Sequence, residues 1–309
     1  MKDRDAVISR EGIIFRVYGY WHPSTGPICD VEYAPSTIYQ SDNPRAPRGR
    51  TTTRYYKFYR DEGLRFIQTR YPQYQLFYPP LQKRLVGVPY PEIDQTRLPH
   101  SALQKLLTSN PHDELIRILR DLLDAICERS RLHLDDFGVF GSILHEFHHP
   151  SFSDIDLTII GKTNVTELLR TLTTFYSEGD LLVNEFSSTL FWKKNSWKFT
   201  SITLEEYAYH QKRKLIYGIY LRNNNVRPIK IEFEPVKSLK EVANGCEANA
   251  SVEWLGWIEA TGRVMNDAEG PYMPSIYEVE VDQDSLGRNI DVNITRIVSY
   301  VEEFRLQLK

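Results

Sequence analysis

Cysteine is scarce in this chain, and Cys29, Cys127 and Cys246 form an odd set with no CxxC spacing. That argues against a disulfide framework and suits a reducing compartment, with the thiols read as small buried apolar groups. No apolar run approaches the length of a membrane span, and the opening MKDRDAVISREG lacks a signal-peptide core. A cytoplasmic location with no membrane partner is the expectation. Neither charge sign dominates: the net charge of −3 gives no global pull toward nucleic acid, so arguments about partners have to be local. Tyrosine is plentiful at 19, but its spacing shows no repeat. What remains is a globular composition of 309 residues, 41% hydrophobic and 26% charged, long enough for two or three cores.

The stretch from Phe137 to Gly161, FGVFGSILHEFHHPSFSDIDLTIIG, carries the chemistry. It reads as an apolar strand ending at Gly141-Ser142, a short connection, and a second strand that opens Asp154-Ile155-Asp156-Leu157. Side chains alternate along a strand, so Asp154 and Asp156 share one face while Ile155, Leu157 and Ile159 enter the core. Two adjacent carboxylates are costly to ionise together unless a cation lies between them, and oxygen-only ligands select a hard ion such as Mg²⁺. Glycine permits close approach of a backbone, and free N–H groups at a turn or helix start face an anion, so Gly141 and Ser142 suit a phosphate.

A later alternation, Ile229-Lys230-Ile231-Glu232-Phe233-Glu234, offers a third carboxylate. Glu232 is the first choice and Glu234 the second, to complete a metal cage and to take the proton from an attacking hydroxyl. The other reading is a solvated strand face with ordinary Lys-Glu alternation. The connecting segment holds His145, His148 and His149 beside Glu146. These read either as a transition-metal or acid site or as a polar loop beside a nucleotide, and Pro150 closes the His-Glu-x-x-His run too soon for a zinc-protease helix.

Taken in order, Ile13 to Val17 and Ile28 to Tyr33 read as a hairpin around the turn at His22 to Pro27. From Arg45 to Arg60, cations interleave with Tyr55, Tyr56, Phe58 and Tyr59. This is either a nucleic-acid surface or a loop followed by a strand with inward aromatics. A short helix over 61–69 and a Pro-rich extended connector from Tyr78 to Pro99 follow. A strong helix starts near Asn110, with Pro111 in its first turn and Leu115, Ile118, Leu119, Leu122, Leu123 and Ile126 on one face. Capping boxes at Asn164/Glu167 and Thr203/Glu206 open two more helices. Lys193, Lys194 and Lys198 with Trp192 and Trp197 make a second basic-aromatic spot, and Lys212, Arg213 and Lys214 a third. Strands are expected over 254–258, 262–265, 275–281 and 290–300, with a turn at Asn266 to Pro271.

Gly141-Ser142, eleven intervening residues and Asp154-Ile155-Asp156 together resemble the signature of the DNA polymerase β-like nucleotidyltransferase superfamily. The wider pattern is similar to a group of archaeal-type predicted nucleotidyltransferases of unsettled substrate. It is carried by Gly12 to Phe15, His22-Pro23, Arg70 to Tyr74, His148, the His210, Arg213, Lys214 segment, and Gly262 to Tyr277. The resemblance implies an α+β protein with a palm, a mixed sheet with helices on one face, over residues 100–235. The strand patterning on either side reads as β-rich domains over 1–99 and 236–309. The resemblance further implies transfer of a nucleoside monophosphate from a nucleoside triphosphate, with ATP as the expected donor, to a hydroxyl on an RNA end, a protein or a small molecule. On this reading Asp154 and Asp156 hold Mg²⁺ or Mn²⁺, with Glu232 or Glu234 as third carboxylate. Gly141, Ser142, His148, Arg213 and Lys214 meet the nucleotide, and the basic-aromatic flanks favour RNA as the acceptor. The alternative is a palm that binds nucleotide or RNA without turnover.

Overall fold

The computed structural model describes residues 1–49, 54–110, 113–187, 202–221, 227–244, 252–282 and 293–308. Alternating apolar side chains build the first sheet from β1 (Ala6–Ser9), β2 (Ile14–Val17), β3 (Cys29–Pro35), β4 (Pro47–Arg48) and β5 (Tyr55–Lys57). Helix α1 (Glu62–Arg70), β6 (Gln75–Tyr78), β7 (Lys83–Val86) and β8 (Ile93–Arg97) follow. The sheet has six strands in the order β4-β5-β3-β2-β1-β8, and β6 pairs with β7 apart from it. The expected hairpin is present as β2 antiparallel to β3, with Phe15 opposite Val31. The extended connector is not: β8 pairs with β1, and Pro79, Pro80 and Pro91 sit in short 3₁₀ turns between strands. Proline suits the start of such turns because its φ is already set and its missing N–H has no partner to lose there.

The central region runs α2 (Pro99–Thr108), α3 (Glu114–Glu128), β9 (Phe137–Val139), α4 (Gly141–Leu144), β10 (Ile155–Ile160), α5 (Lys162–Glu178) and β11 (Leu182–Asn184). It continues with α6 (Leu204–Lys214), β12 (Tyr217–Tyr220) and β13 (Ile229–Val236). Its sheet is mixed, in the order β11-β12-β13-β10-β9, with β10 and β13 parallel and their other neighbours antiparallel. Ile155, Leu157 and Ile159 lie fully buried in one core with α3 and α5, as the alternation requires. Helix α3 buries seven side chains, Ile116 among them, each stabilising by roughly 1.5–3 kcal/mol. Its cap is Asp113, whose carboxylate accepts from Ile116 N at 3.1 Å, rather than Asn110. Pro111 lies outside the described residues, and helix α2 was not anticipated.

Helix α5 starts at Gly161 instead of through the expected capping box. Asn164 donates to Asp136 and to the Ile160 carbonyl, and Glu167 accepts from Arg131 N and Arg170. The Thr203/Glu206 box forms as expected, at 3.2 and 2.7 Å. After α7 (Leu239–Asn244), β14 (Gly262–Glu269), β15 (Ser275–Val281) and β16 (Arg296–Ser299) form a three-stranded sheet. Strand β14 runs through the expected turn at Asn266, and 254–258 is not a strand: Trp254 and Trp257 are 68% and 93% exposed. Among the described residues no helix is long and apolar enough to cross a membrane. The spot at Lys193 and Trp197, and Cys246, lie outside the described residues.

Segments that flank the six-stranded and three-stranded sheets meet the central sheet at Glu234 of β13. Its carboxylate accepts from Arg4 Nη2 at 2.9 Å and from Arg305 Nη2 at 2.6 Å, and all three side chains are buried. Removing one member leaves buried charge without its counterion. Glu234→Ala is therefore expected to cost roughly 3–5 kcal/mol in urea denaturation, against near-neutral effects for exposed carboxylates such as Glu259.

Candidate active site

Strand β10 places Asp156 directly beside Glu232 of β13, because the two strands are parallel and in register at that pair. Asp154, just ahead of β10, falls on the same face. These carboxylates line one cavity of about 320 Å³ with Glu185, Lys230, Tyr217 and Glu302. Gly141 and Ser142 do not line this cavity, but their turn abuts Asp156 from the side. Gly141 has φ +60°, and a Cβ built there would stand 2.3 Å from Asp156 Oδ2, so only glycine fits. Phe140 N also donates to the Asp156 carbonyl at 3.0 Å, fixing the turn to the aspartate strand. Ser142 is half-buried next to it, and its carbonyl accepts from Phe147 N at 2.8 Å.

The electrostatics follow from crowding acids into a partly dry cleft. Burial first, then the neighbouring Glu232 and Asp154 charges, push the Asp156 carboxyl up to about 8. Asp154 is also raised, chiefly by burial, with Lys230 and Arg227 pulling the other way. Glu232 is raised by burial against Arg305, whose Nη2 lies 3.9 Å away. Glu185, ion-paired with Lys230, is raised as well. Hard oxygen donors that resist joint ionisation are suited to a divalent cation. Among the described residues no three His, Cys, Asp or Glu side chains close into a cage. An open set of this kind fits a hard divalent cation such as Mg²⁺ only in the manner of a site with one or two carboxylate ligands, where water and substrate phosphates would complete the shell.

The other expected residues sit elsewhere. Glu234 shares the Glu232 face but is held between Arg4 and Arg305 outside this cavity, which corrects its place as second candidate for the third carboxylate. His148 is buried with Nε2 3.0 Å from Asp113 Oδ2, in a separate cleft with Arg48 and His149. His145 is buried between Arg97 and Glu32, and burial with the Arg97 charge pulls it down to about 3, so it stays neutral. Arg213 is exposed over the Tyr209 ring. Lys214 is buried and donates to the Glu303 carbonyl at 2.6 Å, with burial and then Arg305 pulling it down to about 7. Neither lines the cavity; both are set back from it.

Several residues of the cleft were not expected. Arg227 donates to the carbonyls of Pro150 and Ser153 at 3.1 and 2.6 Å and so pins the segment that leads into Asp154. Glu302 and Glu303 reach the cavity from the C-terminal segment. Lys230 had a signal in the sequence, because it alternates with Glu232; Glu302 and Glu303 had none. In the basic-aromatic stretch, Phe58 is core and Tyr55 packs on Phe147 with ring centres 4.7 Å apart, which favours the inward-facing strand for those rings.

Residues 119–237 match the family model described as a nucleotidyltransferase domain. That bears out the resemblance carried by Gly141, Ser142, Asp154 and Asp156. An uncharacterized protein of Methanocaldococcus jannaschii is 24% identical over 331 residues, spanning 97% of this chain and 85% of its own. No solved structure matches.

The raised Asp156 has a consequence for stability without added metal. Between the ordinary 3.8 and about 8 the folded chain keeps a proton that the unfolded chain has lost, so stability falls as pH rises through that window. In chelator, the urea midpoint of the wild type is expected to drop between pH 5 and pH 8. Asp156→Asn should remove part of that drop; an identical drop in both proteins contradicts the placement.

Proposed function

We propose that the protein transfers a nucleoside monophosphate from a nucleoside triphosphate to a hydroxyl acceptor, with Asp154, Asp156 and Glu232 forming the reaction centre. The observation that carries this reading is the convergence of Gly141 on Asp156, with Glu232 in register beside it. Asp154 and Asp156 are the metal-holding pair and Glu232 the third carboxylate. Mg²⁺ or Mn²⁺ bound there would supply charge neutralisation on the triphosphate and Lewis-acid polarisation of the α-phosphate. Glycine at 141 keeps the backbone close enough to admit phosphate oxygens beside Asp156, and Ser142 follows in the same turn.

Glu232 is the base. Its raised proton affinity matches the task of taking the acceptor's proton as the new bond from oxygen to the α-phosphorus forms. The bond from that phosphorus to the bridging oxygen breaks, and the electron pair leaves with pyrophosphate. Tyr217, held neutral by burial, and Lys230 are the polar walls of the cleft. His148, Arg213 and Lys214 contribute from outside the cavity at most as second-layer charge and position, through Asp113 and the Glu303 carbonyl.

Pyrophosphate release from each of the four nucleoside triphosphates, with Mg²⁺ or Mn²⁺ and with total RNA or a metabolite extract as acceptor, tests this. Asp154→Asn and Glu232→Gln are expected to lower the rate by on the order of 10²–10³ while leaving the fold intact. Nucleotide binding with no product under any condition would instead assign the chain as a binding protein.

A further inference from the structure

A cleft of about 300 Å³ lies between the end of β4 and the connection that runs from α4 to Asp154. Arg48 and Gly49 stand on one wall, and Phe147, His148, His149 and Phe152 on the other. Phe152 is 60% exposed, but its ring is held flat on that of His149, with centres 4.1 Å apart and planes 10° from parallel. His149 is itself fixed by its neighbours: its Nδ1 accepts from Ser151 N at 3.1 Å, and its backbone N–H donates to Ser153 Oγ at 2.8 Å. A lone exposed ring is unremarkable, but one fixed in orientation beside a cation is a stacking platform.

Arg48 is that cation. Its Nη1 donates to the carbonyls of Arg45 and of Pro47, the latter at 2.9 Å, which orients the guanidinium. Among the described residues no acid pairs with it, and its Nη2 and Nε are left for an anion. Glu146, the acid in the lining, is paired with Lys105 at 3.0 Å, so the charge left over in the cleft is that of Arg48. Strands β4 and β5 are antiparallel with Arg48 opposite Tyr55, which puts exposed Arg54 at the Arg48 end of the pair and exposed Arg45 at the other. Lys57 shares the face of β5 on which Tyr55 meets Phe147. Burial raises Asp154 and Asp156, and Lys57 is among the charges that oppose it, so a cation of this strand stands within electrostatic reach of both. His148, buried with Nε2 on Asp113, keeps an Nδ1 without a partner, to which a ligand hydroxyl or amino group can donate.

We propose that this cleft binds a single strand of nucleic acid, with one base laid on Phe152 and a neighbouring phosphate on Arg48. Stacking on an exposed ring tolerates any base and contributes roughly 1–3 kcal/mol, while a row of cations follows the backbone. A compact inorganic anion would use Arg48 and leave the ring idle. A mononucleotide would use both but not Arg45 and Arg54, which lie outside the cleft lining. The strand is held on the segment that leads into Asp154, since Phe152 is two residues ahead of it. This binding site is a property of the cleft alone, and it stands whether or not the carboxylates turn over a nucleotide.

The test is fluorescence anisotropy of labelled oligoriboadenylate and oligodeoxyadenylate with the full chain, in chelator and over a range of salt. The wild type should bind at least one of them, more weakly as salt rises, and the better bound names the source as RNA or DNA. Phe152→Ala should weaken binding by about fivefold or more, and Phe152→Tyr, which keeps the ring, should restore it. Arg48→Ala should lower both the affinity and its dependence on salt, with Arg48→Gln in its place if the melting temperature falls. Asp154→Asn should bind no more weakly than the wild type. Failure to bind either oligomer, or binding that Phe152→Ala leaves unchanged, overturns the proposal. So does binding lost in Asp154→Asn, which would move the strand to the carboxylates, or displacement of the oligomer by an equal concentration of adenosine monophosphate, which would make the cleft a mononucleotide site.

Discussion

A single buried carboxylate, Glu234, holds the molecule's distant parts to one another. Arg4 comes to it from 230 positions earlier in the chain and Arg305 from 71 positions later. An ion cluster in a dry interior repays its desolvation only when the geometry is good and the remaining donors are occupied. Here further acids gather round the same cations: Asp3 lies 3.8 Å from Arg4, and Glu302 lies 2.9 Å from Arg4 and 3.3 Å from Arg16. The chain's two ends are thereby fixed on the exposed side of the central sheet. The opposite side is the apolar core it shares with α3 and α5.

That arrangement decides what the acidic face of the sheet can do. Glu234, two residues along β13, is held by the terminal segments through Arg4 and Arg305, while Asp156 and Glu232 remain at an open cleft. The same clasp that occupies Glu234 delivers Glu302 and Glu303 to the rim of that cleft. Carboxylates outnumber cations there, which is why burial and mutual repulsion raise the proton affinity of Asp156 so far. A site built this way is electrostatically unfinished by its own side chains, and a cation bound there would relieve it.

The parts legible in the sequence were those written locally. Alternation put Asp154 and Asp156 on one face and their neighbours in the core, and the glycine at 141 announced a close approach that the fit against Asp156 explains. Helix α3 and the Thr203 cap were readable for the same reason. Glu232 and Glu234 could not be told apart by alternation, because both lie on one face of one strand. What separates them is Arg4 and Arg305, contacts that no local pattern encodes. Strand β8 was hidden by its flanking prolines, and helix α2 by the proline at its first position, although that is a place where helices accept proline. Asn164 had the spacing of a capping box, but tertiary partners at Asp136 and Arg131 claimed its side chain and that of Glu167.

The dependence of the cleft on the C-terminal segment also fixes one of its walls. Glu302 is set at the rim of the cleft by Arg4, 2.9 Å away, and by Arg16, 3.3 Å away. Whatever shifts that segment changes the negative charge beside Glu232. Anchoring at Arg305 limits that shift, since the buried ion cluster resists separation far more strongly than the exposed rim does. The C-terminal segment thus forms part of the wall of the carboxylate cleft.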